Sequence, residues 1–468
     1  MKSLTARFVV SSLLLAISGC GAAGPARPPD IVLIVIDTLR ADHLGSFGYG
    51  RPTSPVLDAL ARDGTVFSNA TSTSSWTRPA MASLFTGRLP SEAGVAASTD
   101  VVDPDLPTVA ERLRRVGYQT VGVTGNFVHV NDKSGLSAGF DTFDPVSVPS
   151  SEGADVFFEV WGTPVRAPTA PEMNERIFRA LDARAEQAGR DPLFLYVHYM
   201  DPHSGYMAPE SFRERFGPRA DGPEATSDYV IEVAAGRVAA GAAERDRLVS
   251  LYDAEVAFAD DAIGALLAGL EARGIAKHGL VIVVSDHGEE FLDHGGWFHG
   301  FTLHREMLHV PLIIRDRRAP AVGRKRAEPV DLIDLSTTLL AAAGVPDASV
   351  GPGRDLLGPA PLAPRPRVAE LAADELRESR VAPVRHRRAL TRWPWKAIVG
   401  PKGGIVVYRL DRDPTEESPL TLDDPGVPPA LREQARRSSK EVIESAPRVA
   451  PEVTPAERRG LRALGYAE

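Results

Sequence analysis

The sequence holds a single cysteine in 468 residues, so no disulfide can form within the chain. Positive charge is also short. Against 62 Asp and Glu stand 53 Lys and Arg, a net charge of −9, which excludes the basic face a nucleic-acid binder needs. The 41 glycines and 39 prolines follow no collagen-like period, and no segment repeats. No apolar run is long enough to span a bilayer: the stretch from Phe8 to Ile17 stops short. What remains, 43% hydrophobic and 25% charged, is globular material sufficient for one large core and a smaller second unit.

The N-terminus reads as a targeting segment, with Lys2 and Arg7 ahead of the Phe8–Ile17 stretch and Ile17-Ser18-Gly19-Cys20 behind it. That ending resembles a bacterial lipobox. It implies a lipoprotein signal peptide over 1–19, lipid attached at Cys20, and a tether over 20–29. A plain secretory signal is the alternative, but the only cysteine stands where the lipid signal needs one. The expected location is the cell envelope, lipid-anchored and facing the periplasm or exterior.

Three apolar runs each give out at titratable residues. Ile31–Ile36 (IVLIVI) has the continuous character of a parallel strand covered on both faces, and Asp37 follows at once. Leu193 to Val197 leads into His198-Tyr199-Met200-Asp201-Pro202-His203. Leu280 to Val284 ends in Ser285-Asp286-His287-Gly288, with Glu289, Glu290, Asp293, His294, His299 and His304 close behind. A carboxylate and an imidazole suit Zn²⁺ or Mn²⁺, and open α/β sheets collect ligands at the carboxyl ends of their strands. One such ending is an ordinary polar loop; three in one chain point to a site.

Helices are expected at 55–62, 106–116, 174–188, 242–273 and 330–343, and further strands at 119–124 and 310–314. The acids Asp253, Glu255, Asp260 and Asp261 of the long helix read as a solvated face or as helix pairs, and not as ligands. Segments 145–170 and 204–240 lack periodicity and read as irregular loops. In Thr77-Arg78-Pro79-Ala80-Met81 the early proline, with Gly87 closing the run, puts Thr77 at a helix N-terminus, where free N–H groups favour anions. Local sequence alone makes a plain helix cap the simpler account of Thr77. The region 30–345 reads as one catalytic domain, 346–366 as a linker, 367–425 as a small antiparallel subdomain and 426–468 as a helical tail.

The blocks IVLIVIDTLRADHLG, WTRPAMASLFTGRLP, FLYVHYMDPH, LYDAEVAFADDAIGALL, VIVVSDHGEEFLDHG and FHG…REMLHVPLI, with VVYRLDRDPTEES near the end, resemble the sulfatase family of the alkaline-phosphatase superfamily. The resemblance implies an α/β fold, helices sandwiching a large, mostly parallel sheet, with a small C-terminal α+β unit. It implies Asp37, Asp286, His287 and Thr77 as ligands of a divalent metal, Zn²⁺ or Mn²⁺ ahead of Ca²⁺. Thr77 stands at the nucleophile position, and His203 and His299 match catalytic groups that hold the non-bridging oxygens or a second metal. Asp201 and His294 are additional site candidates, while His198 and His304 are expected to be structural.

The departures from the family pattern matter. Sulfatases make a formylglycine nucleophile from Cys or Ser in a Cys/Ser-x-Pro-x-Arg segment; here that segment starts with Thr77 and ends with Met81, so no formylglycine is expected. Thr38 replaces the usual second Asp, and Asp286-His287 replaces an Asp-Asn pair. The resulting expectation is a metal-dependent hydrolase of sulfate or phosphate esters, acting by in-line displacement through Thr77. The alternatives are a phosphotransferase or phosphodiesterase acting on envelope lipids or glycans, and a non-catalytic anion-binding lipoprotein. Expected partners are a small-molecule, lipid or glycan ester and the membrane, with no nucleic acid.

Overall fold

The computed structural model describes residues 28–149, 158–160, 163–187, 191–217, 222–275, 277–319, 323–349, 351–372 and 386–444. Cys20 and its targeting segment lie outside these residues, as does the tail beyond 444. The framework is a sheet of eight strands: β1 (Ile31–Ile36), β2 (Thr65–Phe67), β3 (Gln119–Thr124), β4 (Thr142–Pro145), β5 (Leu193–Tyr199), β6 (Leu280–Ser285), β7 (Leu312–Asp316) and β8 (Arg324–Arg326), in the order β8-β2-β7-β6-β1-β5-β3-β4. Only β7 runs against the others.

Burial on both faces explains the apolar runs. In β1, Val32, Ile34 and Ile36 enter one core, while Ile31, Leu33 and Val35 enter the other. The first core is closed by α1 (Pro55–Asp63), α4 (Ala170–Gln187) and α5 (Ala242–Ala272), through side chains such as Leu57, Leu60, Ile177, Val256 and Ile263. The second is closed by α2 (Thr77–Thr86), α3 (Val109–Arg115) and α6 (Ile333–Ala342), through Leu84, Leu113, Leu335 and Leu339. This is the helix-sheet-helix sandwich expected from the sequence. Among the described residues no helix is long and apolar enough to cross a membrane.

A second, antiparallel sheet follows: β9 (Arg367–Leu371), β10 (Arg387–Arg392), β11 (Trp395–Val399) and β12 (Ile405–Arg409), paired in sequence order. One face, with Ala369, Leu371, Ala389, Ile398 and Tyr408, packs on Trp76, Leu303, Met307 and Leu308 of the main body. The other receives Leu431 and Ala435 of α7 (Pro429–Glu444).

Three expectations need correction. The 145–170 segment contains a small sheet, in which Thr163–Arg166 pairs with Val148–Pro149 and with Phe158–Val160. The 204–240 segment contains a helix, Ser227–Ala234, capped by the Thr226 side chain and anchored by buried Val230, Ile231 and Val233. Asp253, Glu255 and Asp260 of α5 are buried, not solvated. Asp253 accepts from Tyr49 and Arg51 and lies 2.7 Å from His43 Nδ1. Asp260 accepts the Val56 and Leu57 N–H groups, capping α1 from another element where Ser54 makes no side-chain cap.

Candidate active site

Strands β6, β1, β5 and β3 are adjacent and parallel, so their carboxyl ends share one rim. Ile36 is in register with Ser285 on one side and Tyr199 on the other, which sends Asp37 and Asp286 off the sheet side by side. Short polar contacts fix the three turns to one another. Ser285 Oγ donates to the His287 carbonyl at 2.6 Å and accepts the Leu39 N–H at 2.9 Å. The Tyr252 hydroxyl donates to the Thr38 carbonyl at 2.8 Å and accepts the Arg40 N–H at 2.9 Å. These bonds hold Thr38 at φ 54°, a strained setting for a β-branched residue and the means by which the chain turns sharply after Asp37. Arg40 crosses to the Glu289 carbonyl and to Asp293, tying the first turn to the third.

The polar residues Ser72, Thr73, Ser74 and Ser75 ahead of α2 are buried, and the Ser72 hydroxyl donates to the Asp286 carbonyl. Trp76, extended, takes the N-cap position, so Thr77 is the first residue of the helix. Its hydroxyl lies 3.4 Å from Asp37 Oδ2, 3.3 Å from His287 Nε2 and 3.3 Å from Asn126 Nδ2. Asp37, Asp286 and His287 each offer a ligand atom within 4.8 Å of the others, and all three are fully buried. His287 Nδ1 sits 2.9 Å from the Gly288 carbonyl, an arrangement that puts the ring proton on Nδ1 and leaves the Nε2 lone pair facing the carboxylates.

His203 and His299 come to the same place. The His299 ring centroid is 4.7 Å from that of His287 and 5.0 Å from that of His203. A two-residue hairpin, Glu290–Phe291 against Trp297–Phe298, delivers His299. Glu290 Oε1 closes its turn by accepting the His294 and Gly296 N–H groups at 3.0 and 2.7 Å. His299 Nδ1 rests 3.1 Å from buried Glu289, whose own carboxyl is pushed up strongly by burial.

Two candidates lie elsewhere. Asp201 accepts the Ala170 N–H at 2.6 Å and bonds Glu255; burial pushes it up to about 6. His294 lies 3.0 Å from Glu306 and stacks on His304 against the C-terminal sheet. Conversely, two residues join the cluster without having been assigned to it. Asn126, just past β3, donates to Asp37 Oδ2 at 2.8 Å. His198, expected to be structural, has Nε2 3.2 Å from Asp37 Oδ2, angled off a good hydrogen bond. The signal for both was positional: each stands near the end of a strand parallel to β1.

The electrostatics describe a cation seat. Burial and the adjacent Asp37 charge push Asp286 up to about 8. Burial also acts to raise Asp37, but contact with His198 and the field of the surrounding imidazoles more than reverse it. Asp37 Oδ1 and Asp286 Oδ2 are buried with no hydrogen-bond partner among the described residues. Two orphaned carboxylate oxygens beside an imidazole lone pair and a hydroxyl fit a divalent metal.

The Sulfatase family model matches residues 29–345. The chain belongs to the sulfatase family. The uncharacterized sulfatase YidJ of Escherichia coli (strain K12) is 26% identical over 71% of this chain and 71% of its own length. The multifunctional alkaline phosphatase superfamily protein PehA of Trinickia caryophylli is 26% identical over 70% of this chain and 76% of its own. The crystal structure of the phosphonate monoester hydrolase of Agrobacterium radiobacter superposes with a TM-score of 0.68 at 21% identity, covering 88% of this chain and 95% of that one, a likeness of fold. The chain is thus a sulfatase-family hydrolase of the alkaline-phosphatase superfamily, with Thr77 at the head of α2 beside a candidate metal triad.

Proposed function

We propose that this sulfatase-family chain cleaves sulfate or phosphate esters with Thr77 as nucleophile, in a metal-dependent, in-line displacement. The observation that carries the reading is the convergence of the Thr77 hydroxyl with Asp37 and His287 at 3.3–3.4 Å, beside two buried carboxylate oxygens that no group among the described residues hydrogen-bonds. Asp37, Asp286, His287 and Thr77 would hold a divalent cation, whose charge lowers the pKa of a neighbouring hydroxyl and screens a developing anion. Asp37 Oδ2 and Asn126 Nδ2 orient the Thr77 oxygen, one as acceptor and one as donor.

In the first step a bond forms from Thr77 Oγ1 to sulfur or phosphorus while the ester bond opposite it breaks, releasing an alcohol. Water then cleaves the Thr77 ester and regenerates the hydroxyl. His203 and His299, with the N-terminal N–H groups of α2, face the oxygens of the transferred group and stabilise the charge they gain. Thr in place of a formylglycine precursor, and His287 in place of Asn, favour phosphoric as well as sulfuric esters. An acceptor alcohol replacing water would make the same site a transferase acting on envelope lipids or glycans. Lipid attached at Cys20, after a signal over 1–19, would hold such chemistry at a membrane surface, and Cys20→Ala is expected to move the protein from the membrane to the soluble fraction in a fractionation blot.

The test is metal analysis of the purified protein together with turnover of aryl sulfate, phosphate monoester, phosphodiester and phosphonate substrates. Thr77→Ala is expected to lower kcat by about 10³-fold or more, with the circular dichroism spectrum and bound metal retained. Full activity in Thr77→Ala would remove the nucleophile assignment.

A further inference from the structure

The two ends of the main sheet differ. Thr77 and its neighbours occupy the rim at the carboxyl ends of the parallel strands, whereas the chain enters the sheet at the amino ends. The entry is pinned. The Pro29 carbonyl accepts the Tyr118 hydroxyl at 2.9 Å. Asp30 accepts the Leu280 N–H through its carbonyl at 2.9 Å and the Leu193 N–H through Oδ1 at 3.0 Å. Cys20 lies eight positions before Pro28, a reach of at most about 30 Å. The six-residue strands β1 and β6 are about 20 Å long, so a lipid at Cys20 tethers the amino-end edge and leaves the rim on the far side.

That edge carries a patch of positive charge in a chain whose net charge is −9. Because β7 is antiparallel, its last residue, Asp316, stands opposite Leu280 at the start of β6, and the Arg317 N–H donates to the Gly279 carbonyl at 3.0 Å. Lys277, Arg315 and Arg317 line one hollow here, in which Glu271 is the single acid among the described residues. Arg318 follows, and Arg324 and Lys325 open β8, with Arg324 across β2 from Ile314. Five of the six are exposed; Arg315 is half-buried, its Nε without an acceptor among the described residues. Against them stand Glu271 and Asp316, while Arg62 and Asp63 at the end of α1 offset one another and Arg273 is paired with Asp182. Like charges held side by side repel, and an anionic surface relieves that repulsion.

We propose that this edge docks on the anionic phospholipid surface that holds the Cys20 lipid, turning the catalytic rim away from that membrane and toward esters in the aqueous phase. The proposal rests on the lipid reading of Cys20 for its anchor and on the patch for its orientation. The acyl chains supply the affinity. The tether's reach leaves the body free to turn, and the charge fixes which way it faces.

The test uses the lipidated full chain on phosphatidylcholine vesicles containing about one-third phosphatidylglycerol, at low ionic strength. A fluorophore is placed at Ala319→Cys, beside Arg318, or at Val101→Cys, next to the Asp100 carbonyl that Arg78 bonds; both positions are exposed. Quenching by lipids with a nitroxide headgroup is expected to be at least about threefold stronger at 319 than at 101. Lys277→Glu with Arg317→Glu, high salt, or phosphatidylcholine alone is expected to abolish the difference, with the circular dichroism spectrum and aryl-ester turnover of the double variant unchanged. Equal quenching at the two positions, stronger quenching at 101, or a difference indifferent to charge overturns the proposal. Mass spectrometry of Cys20 decides the anchor separately. If no lipid is found there, the anchor reading fails while sedimentation with phosphatidylglycerol vesicles still decides the docking face. The wild-type chain is then expected to bind about tenfold or more tightly than the double variant, and equal or absent binding overturns the face.

Discussion

Asn126 touches both partners of the proposed displacement, with Nδ2 2.8 Å from Asp37 Oδ2 and 3.3 Å from Thr77 Oγ1. Asn126→Ala removes a donor aimed at the position where negative charge develops, so kcat is expected to fall about 10²-fold with little change in thermal stability. Steady-state kinetics beside a melting curve check this, and an unchanged kcat would reduce Asn126 to a spacer. Residues of this kind are hard to read from sequence. Asp37 and Asp286-His287 announce themselves because charge follows at once, or after the single Ser285, on a run of apolar β-branched residues. Asn126 follows the less distinctive QTVGVT, and His198 lies inside β5, where an imidazole looks like an ordinary core residue.

The turn carrying His287 is packed without slack. Gly288 N–H donates to the Met307 carbonyl at 2.8 Å, and a Cβ at position 288 would lie 1.9 Å from the Glu306 carbonyl oxygen. That oxygen belongs to the backbone and cannot rotate away, so Gly288→Ala must shift one of the two segments. The expected outcome is a loss of metal affinity of at least about tenfold, seen by titration of Mn²⁺ or Zn²⁺, with the sheet retained by circular dichroism. Wild-type affinity in Gly288→Ala would show that the turn has room the distances deny. Strands were the most legible elements because doubly covered ones need no partner to be recognised. The acids of α5 were misread because a carboxylate on a helix looks the same whether its partner is water or, like His43 for Asp253, a side chain 210 positions away.

Between the two sheets lies a buried ionic cluster. Glu416 bonds Lys396 at 2.7 Å, lies 3.3 Å from His304 and offers its carbonyl to His294, which in turn contacts Glu306. Contact with Glu306 raises His294 to about 9, while Lys396 and His304 hold Glu416 near 2 against the effect of its burial. The His294 contribution is complete below its unfolded value of about 6.5 and is lost as pH rises through about 9. The Glu416 contribution is complete above its unfolded value of about 4.5 and is lost as pH falls toward about 2. Melting temperature is therefore expected to decline from pH 7 to 9.5, and His294→Gln to flatten that limb; an identical alkaline decline in the variant would exclude His294 as its source. This contact between sheets was not visible in the sequence, since DPTEES marks a turn and gives no sign of what it docks against.

The cation seat unites peptides far apart along the chain: Thr38 and Asp286, in hydrogen-bond contact, are 248 positions apart, and Thr77 and His287 are 210 apart. A nascent polypeptide therefore emerges from the ribosome with its first carboxylate long before the complementary ones exist. On the metal-dependent reading proposed above, ion capture would come late in biogenesis, and a fragment halted ahead of Asp286 would lack two of the three candidate ligands.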